Sequence, residues 1–367
     1  MYKGNTVAVV VPAYNEAGFV GGVIDTLPEL VDRAYVVDDH SQDDTWEVIC
    51  RHASVANAMR QPIRADGGIE ATEFVTPIRN AQNRGVGYSI TTGYRRALED
   101  GADVVVVMNG DGQMDPNILP RILDPVVDGL TDYAKGNRLR DNPHSLGMSS
   151  WRLFGNWTLT FLSRISSGYW HVSDSQNGYT AISRHALETI DLDNLYERYG
   201  FLNDLLVKLN VHGLRVADVS HPALYGDEQS GISYPSFISS VSMLLLRDFV
   251  WRLSRKYVSD RLHPTALYYA LSGVSVLGGL FALLSFVASA VGLDTVDVDS
   301  WVLPGTMLTS GLFFLLAVFA DARENEHLQV FIPELPSQRQ DRSVGRVDVG
   351  VAPLSSTARD ESDADRS

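Results

Sequence analysis

The sequence predicts an α/β domain on a mostly parallel sheet, with helices on both faces and a C-terminal two-helix membrane hairpin. Three observations carry this. Continuous β-branched runs that end in polar residues lie at 7–11, 34–37 and 104–108. Helix-like stretches separate them, at 17–30, 44–52 and 88–100. Two stretches further on, 265–291 and 301–320, contain no charged residue.

Runs that are apolar throughout suit strands covered on both faces. Their alternation with helices builds a layered α/β domain. Such open sheets bind ligands at the carboxyl ends of their strands, so function is expected in the residues that follow each run. The stretch 55–80 follows no period and reads as a surface insertion. At 151–165, Trp151, Phe154, Thr158, Phe161, Leu162 and Ile165 recur at helical spacing. Residues 237–251 are similar and lead into Arg252, Arg255 and Lys256. Either segment suits a core helix or one lying in a membrane interface, where aromatic rings settle and basic residues meet anionic headgroups.

A bilayer core takes about 20 apolar residues per helix, so both uncharged stretches are long enough to span it. The loop between them holds Asp294, Asp297 and Asp299 and no basic residue. Arg247, Arg252, Arg255, Lys256 and Arg261 precede the first stretch. The positive-inside rule then puts the N-terminal domain in the cytoplasm, and two spans return the tail to that side. The expected organisation is a globular domain over 1–235, an interfacial helix over 236–262, a hairpin over 263–322 and a disordered acidic tail over 334–367.

The chain has 367 residues, 45% of them apolar, and a formal net charge of −15. That charge excludes a binder of nucleic-acid backbone, which needs clustered cations. Only 4 lysines stand against 26 arginines, and 32 aspartates against 13 glutamates. An Asp-rich, Lys-poor surface stays hydrated where salt has screened charge repulsion to a few ångströms, so the composition reads as that of an extreme halophile, a haloarchaeon. The single cysteine, Cys50, forms no disulfide within the chain and reads as a buried apolar residue. No charged segment followed by a long apolar one opens the sequence, so no cleavable signal is expected.

Four segments at strand ends carry chemistry. In Pro12-Ala13-Tyr14-Asn15-Glu16 the ring can stack on a base, and Asn and Glu can read polar edges; a turn and helix cap would use the same residues. In Val37-Asp38-Asp39-His40-Ser41 the carboxylates suit ribose hydroxyls or a base N–H, or the capping of the next helix. Asn83-Arg84-Gly85-Val86-Gly87 lets backbone approach a ligand at a helix N-terminus. In Met108-Asn109-Gly110-Asp111-Gly112-Gln113, Asp111 is placed to hold a divalent cation, Mg²⁺ or Mn²⁺, beside substrate phosphates. An Asp-Gly turn would look the same.

In order and spacing, these segments resemble the family 2 inverting glycosyltransferases of GT-A fold, on the dolichyl-phosphate mannose and glucose synthase branch. The resemblance covers roughly residues 6–234. It implies a nucleotide pocket from Pro12, Tyr14, Glu16, Val37 and Asp39. It implies that Asn109-Gly110-Asp111 stands where the family has its Asp-x-Asp metal motif, with Gln113 following. Gly136-Asn137-Arg138 resembles a Gly-Ser-Arg whose Arg handles phosphate, and Arg152 resembles a second such Arg. Residues 174–179, led by Asp174, resemble the acceptor-side block, and 201–206, with Asp204, a block bearing an acidic residue before a helix. Three positions depart from the pattern: Asn109 replaces the first metal-motif Asp, Thr180 stands where Arg is frequent, and residues 231–234 lack a Lys.

The resemblance implies transfer of a hexose from UDP- or GDP-hexose to dolichyl phosphate, alongside other enzymes of a surface-glycan pathway. A lipid phosphate is already anionic and needs cations to position it, here Arg138 and Arg152. A sugar-hydroxyl acceptor would need a base instead, with Asp204 first and Asp174 next. The competing expectations are therefore an enzyme extending a lipid-linked oligosaccharide, and a scaffold that binds nucleotide-sugar without turnover.

Overall fold

The computed structural model describes residues 1–60, 73–138, 150–221, 234–259, 262–291, 296 and 298–332, with side chains at all of these except 150–156 and 234–240. The expected tail, together with Asp294, Asp297, Arg261, the 231–233 loop and the side chain of Arg152, lies outside the described residues.

The elements run β1 (Val7–Ala13), α1 (Val20–Asp25), β2 (Arg33–Asp38), α2 (Thr45–Met59), β3 (Val75–Arg79), α3 (Val86–Glu99), β4 (Val104–Val107), α4 (Leu119–Val127), β5 (Tyr133–Asn137), α5 (Ser150–Ser167), β6 (Thr180–Ser183), α6 (Arg184–Thr189), α7 (Phe201–Val211), β7 (Val216–Ser220), α8 (Tyr234–Leu253), α9 (Pro264–Ala290), α10 (Val302–Glu324) and β8 (Gln329–Phe331). One eight-stranded sheet has the order β3-β2-β1-β4-β6-β5-β7-β8. All neighbours pair in parallel except β6, which runs against β4 and β5. The three runs read from sequence are β1, β2 and β4, central and fully buried, as strands covered on both faces must be.

Two corrections follow. Residues 55–80 are not one insertion: α2 continues to Met59 and β3 begins at Val75. Pro77 disguised the strand, since proline cannot donate to a ladder; β3 is an edge strand, where that costs nothing. The first helix is shorter than 17–30, because Glu16–Phe19 is a turn fastened to the loop after β2.

The hairpin is α9 and α10, both long and apolar enough to cross a membrane. Small residues let the two approach: Thr306 Oγ1 lies 2.9 Å from where a Cβ on Gly279 would stand, and Ser272 donates to the Ser310 carbonyl at 3.1 Å. α10 runs past 320 and carries Asp321 in its last turn. There the basic collar needs correcting. Arg252 does not face headgroups; it is wholly buried and forms a two-pronged ion pair with Asp321, at 2.9 and 2.8 Å. It also donates to the carbonyls of Ser166 and Ile165, which end α5. Tyr257 donates to Asp321 at 2.6 Å, and Lys256 to Asn325 at 2.6 Å and to Asn210 of α7 at 3.1 Å. A buried charge must be paired and hydrogen-bonded, and these groups satisfy one another where α5, α7, α8 and α10 meet. The chain then returns to the sheet as β8, beside β7, so both ends of the hairpin lie on the side of the sheet domain.

Candidate active site

Parallel pairing brings the carboxyl ends of β1, β2 and β4 to one edge, and β5, across the antiparallel β6, ends on the same edge. Pro12 sits beside Val37 in the ladder. The Asp39 N–H donates to the Ala13 carbonyl at 2.9 Å, and the Gly110 N–H to the Pro12 carbonyl at 3.1 Å. Those two bonds put Tyr14, Asp39 and Asp111 around a common rim. A side chain at Gly110 would meet the Ala13 Cβ and the Pro12 carbonyl at 3.1 Å, a tight fit, so glycine eases the close approach of the two loops. Asn15 adopts the left-handed backbone region, φ 55°, and its side chain accepts from the Gln42 N–H at 2.9 Å, locking the first loop onto the second. Tyr14 is left 40% exposed, its ring available for stacking. Glu16 takes the Thr45 hydroxyl as acceptor for its own N–H at 2.8 Å.

Asp39 is buried and already engaged. Its oxygens accept from Asn80 Nδ2 at 2.8 Å, the Arg84 N–H at 3.2 Å and the Gly85 N–H at 2.6 Å. It thereby fixes the glycine loop ahead of α3. Gly87 lets that loop meet Tyr196 and Glu197, since a Cβ there would lie 2.3 Å from the Tyr196 carbonyl. Asp111 is half-buried, and one of its oxygens accepts from the Gln113 N–H at 3.0 Å. Asn109 lies against Gly178, its Oδ1 3.0 Å from a would-be Cβ, which draws the 109–113 loop to the 174–179 segment. Among the described residues no three His, Cys, Asp or Glu side chains cluster as a metal cage.

Arg138 and Asp174, read separately from sequence, form one unit. Arg138 Nε and Nη2 reach the two Asp174 oxygens at 2.9 and 3.1 Å, and its N–H donates at 3.0 Å. Burial pushes the Asp174 carboxyl up, but the Arg138 guanidinium outweighs it and holds the group below its usual range. Beneath them lies a group the sequence reading missed. Lys135 is fully buried and donates to the Ser173 and Asp174 carbonyls, both at 2.6 Å. Burial lowers its pKa and raises that of Asp218, 3.7 Å away. A lysine inside a strand, in a chain with four, was the available signal. Asn177 Nδ2 meets His221 Nε2 at 2.8 Å, making His221 part of the same wall.

Asp204 is in the first turn of α7, inside the helix and buried. It accepts from the Tyr196 N–H at 2.8 Å, pairs with Lys208, and has Arg247 Nη2 at 3.7 Å. Among the described residues none of these partners belongs to the Asp111 loop.

Residues 8–191 match the family model described as Glycosyl transferase family 2. A UDP-N-acetylglucosamine–dolichyl-phosphate N-acetylglucosaminyltransferase of Methanococcus voltae is 27% identical over 59% of this chain and 85% of its own. The low-salt glycan biosynthesis hexosyltransferase Agl6 of Haloferax volcanii is 24% identical over 85% of this chain and 67% of its own. That match spans 319 residues, more than the sheet domain holds. Among solved structures, mannosyl-3-phosphoglycerate synthase from Rubrobacter xylanophilus superposes with a TM-score of 0.50 at 18% identity, over 71% of this chain and 77% of that one. The likeness bears out the GT-A fold.

Proposed function

Since the chain belongs to glycosyl transferase family 2, and is therefore a glycosyltransferase, we propose that it moves a hexose from a nucleotide-sugar to a polyprenyl phosphate such as dolichyl phosphate, with inversion. The observation that carries this is the shared rim: two backbone bonds unite the loops of Tyr14, Asp39 and Asp111, and the Arg138–Asp174 pair stands at the next strand end. The Methanococcus relative, by name an N-acetylglucosaminyltransferase acting on dolichyl phosphate, supports the acceptor class, and the Haloferax relative, by name a hexosyltransferase of glycan biosynthesis, supports the hexose.

In this reading Tyr14 stacks on the base. Asp39 holds the glycine loop that forms the pocket wall. Asp111 is the carboxylate that would hold a Mg²⁺ or Mn²⁺ at the diphosphate, a hard cation suited to an oxygen donor beside substrate phosphates. When bound there, the ion would supply positive charge against the leaving diphosphate. The acceptor phosphate oxygen forms the new bond to the anomeric carbon as the bond to the diphosphate breaks, and the electron pair leaves with the nucleoside diphosphate. Asp174 positions Arg138 to hold that phosphate, and Arg152 follows the resemblance as a second holder. Asp204, occupied by Tyr196, Lys208 and Arg247, serves here as an anchor of the 196–197 loop, which favours a phosphate acceptor over a hydroxyl that needs a base. The hairpin keeps the rim at the membrane, on the cytoplasmic side if the acidic inter-span loop lies outside.

Membranes containing the full-length protein are incubated at high salt with labelled UDP- or GDP-hexose, dolichyl phosphate and Mg²⁺ or Mn²⁺, then extracted for lipid. One donor labels the lipid, and Asp111→Ala loses about a hundredfold or more of that rate. Equal labelling by the variant removes Asp111 from the chemistry, and label only on longer glycans favours the oligosaccharide-extending alternative.

A further inference from the structure

α8 presents Met243, Leu246 and Val250 to the outside, at 58–68% exposure, on a face that also carries Arg247. α5 adds exposed Trp157 and Phe161, whose rings stack at 5.9 Å. Phe249 packs edge-on against Tyr269 of α9, at 5.0 Å, so this face lies level with the first turns of the hairpin. A basic side chain at that level is where lipid phosphates are met.

Arg247 is also held in an unusual way. Its side chain is 58% exposed, while the two carboxylates it meets, Asp248 and Asp204, are 4% and 1% exposed. Arg247 Nε and Nη2 donate to Asp248 Oδ1 at 3.1 and 2.9 Å. Nη1 has no partner among the described residues. An ordinary surface ion pair exposes both ends and orients neither. Here the anions are fixed in the interior and only the guanidinium reaches outward. Asp248 Oδ2 is buried without a hydrogen bond among the described residues, an expense that packing alone does not justify. Arg247 also stands over the Tyr196 ring, 6.0 Å away, and Tyr196 belongs to the loop that Gly87 admits against the glycine loop held by Asp39.

We infer that Arg247 is the first contact for the phosphate of a lipid arriving along the Met243–Val250 face, ahead of the Arg138 position where transfer occurs, with Asp204 and Asp248 aiming its free N–H groups outward. A guanidinium pairs with phosphate through fixed N–H groups, and one already anchored loses less freedom on binding. The inference rests on the polyprenyl-phosphate reading where that lipid is the acceptor. The same chemistry would take the phosphate of a bulk anionic lipid, and the test separates the two.

Full-length protein is reconstituted in phosphatidylcholine nanodiscs, and dolichyl phosphate is titrated at saturating donor. In a second arm the discs contain phosphatidylglycerol, and the lipids retained are counted by native mass spectrometry. Arg247→Gln is expected to raise the acceptor KM about ten- to a hundredfold with the donor KM unchanged, as loss of a charge-assisted bond predicts. Arg247→Lys, which keeps the charge balance, recovers part of the loss and shows that the fold is intact. A raised acceptor KM assigns the site to the acceptor, whereas loss of retained phosphatidylglycerol alone assigns it to headgroups. Acceptor KM and lipid retention both within twofold of wild type overturn the inference. If the wild type labels no dolichyl phosphate, the functional reading fails, while lipid retention still decides for or against Arg247.

Discussion

Replacing Asp321 by Asn strikes the point where the hairpin joins the sheet domain. Arg252 keeps its bonds to Ser166 and Ile165 but loses a two-pronged anion at 2.8–2.9 Å while remaining wholly buried. Removing one member of a buried pair costs about 3–5 kcal/mol, because the other charge is left uncompensated. The asparagine keeps one oxygen, which can go on accepting from Tyr257 and Asn325, but it turns an N–H2 group toward the Arg252 guanidinium. At about 2 °C per kcal/mol for a folded unit this large, the melting temperature falls by roughly 6–10 °C. The double variant Arg252→Met with Asp321→Leu removes both charges and keeps apolar volume, so it recovers most of the loss. The assay is thermal melting of the detergent-solubilised full-length protein at low and at molar salt. Salt screens exposed pairs and spares buried ones, so the cost persists at molar salt. A single variant that melts like wild type, or a double variant no better than the single, refutes the argument.

Lys135→Met leaves Asp218 buried beside an apolar chain and frees the Ser173 and Asp174 carbonyls; a loss of about 3 kcal/mol by urea unfolding is expected, with a raised acceptor KM as Arg138 loses its backing. Gly87→Ala drives a methyl into the Tyr196 carbonyl, a backbone atom that cannot swing aside, and should cost about 1–3 kcal/mol in the same assay. Asp248 has a pKa raised to about 6, by burial first and by Asp204 next. The folded state therefore binds its proton more tightly than the unfolded one. Its contribution is fully present below about pH 4 and is lost as pH rises through about 6. The melting temperature of wild type minus that of Asp248→Asn should fall across that window, and a flat difference would remove Asp248 from the account.

Much of the fold was legible because the central strands are buried on both faces and spell β-branched runs. The outlying strands were not. β3 contains Pro77, β5 contains Lys135 and Asn137, and β8 is three residues long. Each obeys a tertiary demand, an edge or a buried ion, that local pattern does not record. In the site, strand-end position alone gathered Tyr14, Asp39 and Asp111. What it could not supply was partnership: Arg138 and Asp174 were read as independent, and Arg252 as a headgroup ligand, because Asp321 lies 69 residues further along. Helical spacing says which residues share a face, and says nothing of what that face meets.

The place of β8 sets an order of events in synthesis. Its partner β7 is complete at Ser220, yet Gln329 leaves the ribosome only after both apolar helices have been made. At about 5–20 residues per second that gap lasts roughly 5–20 s, during which the β7 edge has no strand beside it. An unpaired parallel edge invites strangers, so the nascent sheet is at its most adhesive while its two apolar helices are being made. Completion of the sheet thus waits on synthesis of both apolar helices, and a stalled chain ending before residue 302 that already carries a finished eight-stranded sheet would contradict that sequence.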